Sequence, residues 1–326
     1  MRRLLNALGS LKLTFGGMLL LALVIFYDLQ ISVLSPGWLA ASLGLLSLNL
    51  AAAIIVRPQF RQQPGLLVFH LCLMLVTGLA GLQAMTIFDG RVEQAEDQPF
   101  AVENVEVIKQ GPWHINRLGE VHFMQGPVTV EYREDLRRGR TQSKIYFDQG
   151  GKLESRTFGD TRSTHKRGYR FITTPNKGYA LTLVWVGDDG NSTSGNIHMP
   201  SFPIREWDQR QQWRTPAGEQ VTLSLDILPV AADGNWTLAS EGFEGRVLLT
   251  TKDGSGTELI DGRAVAVAGG SLTLDGVSLW IGYRIEFNAI LPWLFAAAAL
   301  GTAALGWHFW RNPPQFRVAE HKINAA

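Results

Sequence analysis

The chain carries two kinds of hydrophobic pattern. Four stretches are almost continuously apolar over about 20 residues, the length that an α-helix needs to cross a bilayer. Between the third and fourth stretches, hydrophobic and polar residues instead alternate over roughly 200 residues. The pattern predicts four transmembrane helices, with a large polar domain between the last two. The predicted spans are approximately Leu13–Leu34, Trp38–Val56, Gly65–Phe88 and Asn288–Trp310.

The polar region has the period-two pattern of β-strands. Its turn signals are rich in Gly and Asp, for example Asp188-Asp189-Gly190-Asn191 and Asp253-Gly254-Ser255-Gly256. Such turns connect adjacent antiparallel strands, so we expect an antiparallel sandwich or barrel. The predicted strands are Val102–Ile108, Val128–Tyr132, Ser143–Phe147, Tyr179–Val186, Val221–Leu228 and Val277–Ile281.

The predicted fold class is therefore membrane α plus β: four transmembrane helices, with a large outward antiparallel β-rich domain between spans 3 and 4. The domain boundaries follow from the change of pattern. They are 1–88 for a three-helix transmembrane region, 89–287 for the extracytoplasmic β-rich domain, 288–310 for the fourth transmembrane helix and 311–326 for a cytoplasmic tail.

The positive charges near the spans predict the orientation. If there are four spans, all the flanking Lys and Arg groups lie on one side of the membrane, and the positive-inside rule makes that side the cytoplasm. Both termini are then cytoplasmic, and the β-rich domain faces outward from a multi-pass inner (plasma) membrane. It would lie in the periplasm or cell exterior in a bacterium, or in the lumen in a plastid. The flanking charges are Arg2, Arg3 and Lys12, then Arg57 and Arg61, then Arg311, Arg317 and Lys322.

Composition excludes several function classes. The formal net charge is +1 without a basic block, so we expect no nucleic-acid partner and retain membrane lipid as the expected environment. Cys72 is the single cysteine, which allows neither an intramolecular disulfide nor a CxxC motif. There is no nucleophile elbow, phosphate-binding loop or dinucleotide fingerprint, so the catalytic residues are unknown.

His70 is the main candidate for a functional residue. It lies about six residues into the third span, where an ionisable side chain costs roughly 2 kcal/mol or more and marks a functional site by default. A neutral imidazole is tolerated there, and its ring nitrogen binds metals, including haem iron. Its depth is about 9 Å at 1.5 Å per residue, which is the inner leaflet in the predicted orientation. Gly78 and Gly81 on the same helix permit close approach of another helix or of a planar ligand.

The structural alternative is that His70 only stabilises helix packing, through a hydrogen bond to a neighbouring helix. His308, in Trp307-His308-Phe309-Trp310-Arg311, has the sequence of an interfacial anchor. It is also a candidate second axial ligand if spans 3 and 4 pack together. Asp28, near the outer end of the first span, either snorkels to the interface or has a functional role. The other histidines are scattered without metal-ligand spacing.

Several of these features together resemble one family. They are the opening Leu8-Gly9-Ser10-Leu11-Lys12-Leu13-Thr14-Phe15, the arginine–proline loop before span 3, and His70 within Pro64-Gly65-Leu66-Leu67-Val68-Phe69-His70-Leu71. With three spans, a β-rich domain and a final span, the chain resembles the ResB (CcsB or Ccs1) family of system II cytochrome c biogenesis proteins. The β-rich domain is shorter than is usual in that family.

The resemblance implies a subunit that captures haem b in the membrane, helps to carry it outward and supports its attachment to apocytochrome c. It implies a ResC (CcsA)-like membrane partner, and it assigns His70 as an axial ligand of the haem iron. The chain would then be a component of a haem lyase complex rather than a catalyst alone.

The competing hypothesis is a non-enzymatic, membrane-anchored assembly or scaffold protein, whose β-rich domain binds a partner protein and no haem. A haem site needs an apolar slot lined by small residues and a second ligand, whereas a scaffold histidine needs only a hydrogen-bond partner. A transporter is disfavoured, since the four spans show no inverted repeat and almost no buried charge.

Overall fold

A computed structural model describes residues 2–31, 35–134, 137–148, 150–203, 208–227 and 234–311. The predicted tail beyond Arg311, the predicted span end at Leu34 and the predicted strand end at Leu228 lie outside these residues. The chain divides into two compact units. They are a helical unit (Met1–Phe88, Lys109–Ile115 and Asn288–Ala326) and a β-rich domain (Asp89–Ile108 and Asn116–Phe287).

In the part of the chain that the structure describes, the helical unit holds four long helices and two short ones. They are α1 (Arg2–Leu8), α2 (Leu11–Ile31), α3 (Pro36–Val56), α4 (Pro58–Gln62), α5 (Pro64–Thr86) and α6 (Leu291–Arg311). Three of the long helices, α2, α3 and α5, are long and apolar enough to cross a membrane by length and composition.

α6 is as long as α2 and α3, but it is less apolar and is not one of the three helices that could cross a membrane by length and composition. Its last turns contain Trp307, His308, Trp310 and Arg311, which dilute the apolar run. Three membrane-crossing helices are therefore supported, and the fourth span stays a prediction.

Among the described residues, six helix ends differ from the sequence prediction by one to three residues; α6, for example, begins at Leu291 and not at Asn288. Two of these differences have a clear local cause. Pro36 and Gly37, expected in a turn, form the first turn of α3, since proline at the first helical position needs no N–H partner and the Ser35 hydroxyl accepts from the Gly37 N–H at 3.4 Å. α5 ends at Thr86, and not at Phe88 as predicted, because Phe88 starts the first β-strand and is buried.

Small residues set the helix contacts. A Cβ atom on Gly17 of α2 would lie 2.8 Å from the Leu46 side chain of α3, and one on Gly301 of α6 would lie 3.0 Å from Cys72 of α5. These contacts make α2–α3 and α5–α6 antiparallel neighbours, and α3 packs antiparallel on α5 in the same way. Leu11, Val56, Pro64 and Arg311 thus share one end of the unit, here called the Pro64 end. Ile31, Pro36, Thr86 and Leu291 share the other, the Thr86 end.

The β-rich domain confirms the predicted antiparallel class, since every strand pair with a described register is antiparallel. One sheet has the order β2-β1-β15-β7-β6, with β14 beside β15 and β8 beside β7; the other two are β13-β12-β10-β9 and β11-β3-β4-β5. The strands are β1 (Phe88–Ala95), β2 (Glu106–Gln110), β3 (Met124–Tyr132), β4 (Arg138–Asp148), β5 (Leu153–Gly159), β6 (Thr164–Lys166), β7 (Tyr169–Gly187), β8 (Ser192–His198), β9 (Arg210–Arg214), β10 (Gln220–Ile227), β11 (Trp236–Leu238), β12 (Gly245–Thr250), β13 (Gly256–Leu259), β14 (Ala264–Val267) and β15 (Gly270–Phe287).

The first predicted strand is partly wrong. Val102–Asn104 forms a single 3-10 turn, and the strand begins at Glu106. The turn is closed by backbone bonds: the Asn104 N–H donates to the Ala101 carbonyl at 3.2 Å, and the Val105 N–H donates to the Val102 carbonyl at 3.1 Å. The other five predicted strands lie within β3, β4, β7, β10 and β15, apart from Leu228.

The core of this domain lies between the long β7–β15 pair and the β3–β4 pair. Phe171 of β7 and Tyr283 of β15 are almost fully buried, and Phe171 also meets Phe123 edge-on at 5.6 Å. The Tyr283 hydroxyl donates to the Gln125 carbonyl oxygen at 2.6 Å and bonds the Ser143 hydroxyl. These three polar side chains therefore satisfy one another inside the core.

Candidate functional site at His70

α5 holds His70 in one ring orientation. The Nδ1 atom lies 2.7 Å from the Leu66 carbonyl oxygen, one turn earlier on the same helix. A carbonyl oxygen only accepts hydrogen bonds, so Nδ1 carries the proton in this contact. In the neutral ring, Nε2 then has the free lone pair, which is the atom that would bind iron.

Aromatic residues surround the imidazole ring. Phe60 of α4 lies with its ring centroid 4.4 Å from that of His70, and Phe69 meets the ring edge-on at 5.2 Å. The short helix α4, flanked by Pro58 and Pro64, brings Phe60 to this position. Among the described residues, the ring makes no hydrogen bond to another helix.

His308 does not pair with His70 in this arrangement. A Cβ atom on Gly65 would lie 2.9 Å from the His308 Cβ, so α6 packs against α5 at Gly65. His70 is five residues further along α5, which turns its side chain about 140° around the helix axis from Gly65. The two histidines lie near the same end of the unit but on different faces of α5. The second-ligand hypothesis for His308 therefore gains no support.

Gly78 and Gly81 of α5 lie against a neighbouring helix. A Cβ atom on Gly81 would lie 3.4 Å from the Ala40 carbonyl oxygen, and one on Gly78 would lie 3.4 Å from the Ser47 hydroxyl, both on α3. The Ser47 hydroxyl also donates to the Met74 carbonyl at 3.2 Å. Of the two uses predicted for Gly78 and Gly81, close helix approach is the one observed.

His70 belongs to a narrow stripe of α5 between its α3-facing and α6-facing sides. By helical spacing, this stripe contains Leu66, His70, Leu73 and Thr77. Leu73 is exposed, and the other three are half-buried. The stripe is the surface from which His70 can meet a ligand.

The residues present fit one side of a haem site. They supply an imidazole whose Nδ1–H is held by a carbonyl, which is the usual outer-shell arrangement of a metal-binding histidine, and an apolar, aromatic surround. The part of the chain that the structure describes contains no group of three His, Cys, Asp or Glu side chains placed to hold a metal ion.

Sequence reasoning missed Asn49. This side chain of α3 is 3% exposed, its amide donates to the Leu8 and Ser10 carbonyls, and its oxygen accepts from the Thr14 hydroxyl at 2.8 Å. Asn49 thereby fastens the α1–α2 corner to α3. The signal was available, because an amide in an apolar span is as conspicuous as an imidazole.

Asp28 has a structural partner. Its carboxylate lies 3.4 Å from the Lys109 ammonium group, and both side chains are about one-third exposed. The pair occupies the Thr86 end of α2, as expected for a charge that reaches the membrane interface.

The β-rich domain contains a second notable histidine. His198 of β8 bonds Glu93 of β1 at 3.0 Å through Nδ1 and stacks on Trp280 of β15 at 5.4 Å. Glu93 and His198 line a cleft of about 920 Å³, together with Arg91 and Arg284. The carboxylate orients the imidazole, but one imidazole and one carboxylate do not complete a metal site.

Comparison with known proteins gives little further information. No protein-family model matches this chain, and no curated protein matches it. Among solved structures, cytochrome c haem lyase CcmF aligns with 92% of this chain at 14% identity and a TM-score of 0.28. The chain spans about a third of that structure, since 35% of CcmF is covered. A likeness at this level carries no inference about the fold or function of this chain.

Proposed function

We propose that this chain is a membrane subunit of a system II cytochrome c biogenesis complex, and that it holds haem b through His70. The observation that carries the proposal is the bond from His70 Nδ1–H to the Leu66 carbonyl, which leaves Nε2 available in an apolar surround. A histidine that only stabilised helix packing would bond a neighbouring helix through its ring. The described residues show no such bond.

In this proposal the haem supplies an iron atom that needs axial nitrogen ligands and a macrocycle that needs an apolar surface. Leu66 holds the His70 tautomer, Phe60 and Phe69 limit the ring's rotation and keep water away, and Leu73 offers apolar surface beside it. These residues bind and orient; none of them transfers a group. The chain therefore acts as one component of a haem lyase complex.

The remaining half of the site calls for a partner. The His70 stripe is partly exposed, and His308 lies on another face of α5. A ResC (CcsA)-like membrane protein placed against this stripe would bring the second ligand and close the slot. Both chain termini would then be cytoplasmic, with four spans, and the β-rich domain would face the apocytochrome c on the other side of an inner membrane.

The deciding experiment compares His70→Ala with His308→Ala, two histidines near the same end of the helical unit. Each variant is purified in detergent with a ResC-like partner, and haem is measured from the Soret absorption. His70→Ala should lose most of the haem, since no water in a low-dielectric site replaces the lost coordinate bond. His308→Ala should retain it, and added imidazole should restore part of the signal in His70→Ala.

The scaffold hypothesis predicts a different result. If His70→Ala keeps its full haem content, an unchanged spectrum and full cytochrome c maturation, His70 serves helix packing only. The chain would then be understood as a membrane-anchored assembly protein whose β-rich domain binds a partner without haem.

A further inference from the structure

The segment Lys109–Ile115 belongs to the helical unit, although it lies between two parts of the β-rich domain in sequence. We call it the strap. Its backbone is bonded to the end of α5 and the residue that follows: the Gly111 N–H donates to the Ile87 carbonyl at 2.8 Å, and the Trp113 N–H donates to the Met85 carbonyl at 2.8 Å. The strap is therefore fixed at the Thr86 end.

Two side chains of the strap add to this attachment. His114 Nδ1 lies 3.0 Å from the Thr86 carbonyl oxygen, and its ring stacks on Phe88 at 5.2 Å. Lys109 forms the ion pair with Asp28 of α2. A Cβ atom on Gly111 would collide with the Met85 carbonyl, so the close approach of the two backbones requires glycine there.

Attachment leaves the two largest apolar side chains of the strap uncovered. Trp113 is 62% exposed and Ile115 is 73% exposed. Other aromatic residues at the Thr86 end are exposed in the same way. They are Tyr27 near the end of α2, Trp38 in the first turn of α3 and Trp293 in the first turn of α6.

We infer that the strap is an interfacial membrane anchor, with Trp113 and Ile115 inserted among the phospholipids at the Thr86 end. Trp and Tyr concentrate at the headgroup level, and the exposed aromatics of α2, α3 and α6 mark that level here. The strap is bonded to helices long enough to span, so its depth is set by their ends. The Asp28–Lys109 ion pair is also compatible with the headgroup layer, because charged side chains there can reach water. This inference does not depend on haem binding.

The test uses the full chain in phosphatidylcholine nanodiscs, with Cys72→Ser to remove the native thiol. A nitroxide is attached at Ile115→Cys, and a control nitroxide at Leu153→Cys, in β5 of the β-rich domain, where the side chain is equally exposed at 72%. Collision rates with oxygen, which concentrates in lipid, and with an aqueous nickel chelate are then measured. We expect the label at 115 to favour oxygen and the label at 153 to favour nickel.

A second measurement does not use labels. Brominated phosphatidylcholine should quench less of the total tryptophan fluorescence in Trp113→Phe than in the unaltered chain, because one lipid-exposed emitter is lost. Equal nickel accessibility at 115 and 153 would overturn the inference. So would a label at 115 that is shielded from both reagents, since this would place a protein partner or a second copy over the strap.

Discussion

Partly and fully buried polar side chains are satisfied differently in the two units. In the helical unit, most bond to backbone carbonyls: His70 to Leu66, and Ser47 to Met74. In the β-rich domain, several bond to one another, as in the Tyr283 network. In a helix, a polar side chain can reach the backbone carbonyl one turn earlier on the same helix. Two facing sheets instead bring side chains from distant segments together. His70 is therefore notable, because it uses only one ring nitrogen for a bond within its own helix and leaves the other nitrogen available.

The largest expected effect is the loss of Glu96 from the β-rich domain. Its carboxylate is buried and accepts from the Val128 N–H at 2.6 Å and the Leu279 N–H at 3.0 Å, on two different sheets. Burial raises the pKa of Glu96, although both backbone bonds lower it. Glu96→Ala leaves two buried N–H groups unpaired, so the unfolding free energy should fall by about 3 kcal/mol.

Denaturant unfolding, followed by tryptophan fluorescence, would check the Glu96 prediction. Glu96→Gln keeps one acceptor oxygen and should cost less. Exposed Glu103→Ala is the control and should change the unfolding free energy by less than about 0.5 kcal/mol. An Ala variant as stable as this control would show that the link between the sheets is unimportant.

Lys177 should give a smaller effect of opposite sign. Its ammonium is buried and bonds the Thr141 hydroxyl at 3.1 Å, and burial lowers the pKa of Lys177 from its usual 10.5 to about 8. Between about pH 8 and pH 10.5, Lys177 is protonated in the unfolded chain but deprotonated in the folded chain. Lys177 therefore makes the unfolding free energy rise with pH over this range. Lys177→Met should stabilise the domain at pH 7 by about 2 kcal/mol.

The pH dependence of unfolding is the sharper measurement for Lys177. Lys177→Met should flatten the alkaline rise, and exposed Lys152→Met should leave it intact. A rise that persists unchanged in Lys177→Met would assign it to another group.

Asn49 tests the helical side of the comparison. Asn49→Ala removes bonds between α3 and the α1–α2 corner, but bonds between membrane helices contribute modestly, so the loss should be about 1 kcal/mol. Titration with sodium dodecyl sulfate in mixed micelles measures it, with exposed Thr302→Ala of α6 as control. A loss equal to that of Glu96→Ala would remove the contrast between the units.

The smallest expected effect is at the Asp89–Arg284 pair, where two contacts of 3.0 and 2.6 Å join partly exposed side chains. Asp89→Asn should lower the unfolding free energy by less than about 1 kcal/mol. The difference from the unaltered chain should shrink in about 1 M salt, since screening by salt weakens exposed pairs. A larger, salt-independent loss would show that Asp89 is part of the core.

Much of the helical unit follows from local pattern, because apolar length alone predicts a span. Those bounds were close for α3 and α5, whereas α6 begins at Leu291, three residues after the predicted start at Asn288. In the β-rich domain, alternation located the strands but missed the turn at Val102–Asn104. That turn is closed by backbone bonds between residues three apart, which the alternation of side-chain types does not reveal.

For the candidate site, residue type and position were enough to single out His70. An imidazole within an apolar stretch is conspicuous because burying a polar ring has a cost wherever the helix packs. The order of spans and the antiparallel class also follow from sequence, since hydrophobic periodicity is a local property.

Other features of the site follow only from how the chain packs. Packing places His308 on another face of α5, covers Gly78 and Gly81 with α3, and fastens the strap to the Thr86 end. The physical reason is that each of these facts depends on the rotation of one helix against another, or on contacts between distant segments. Residue type and spacing along one helix do not determine either.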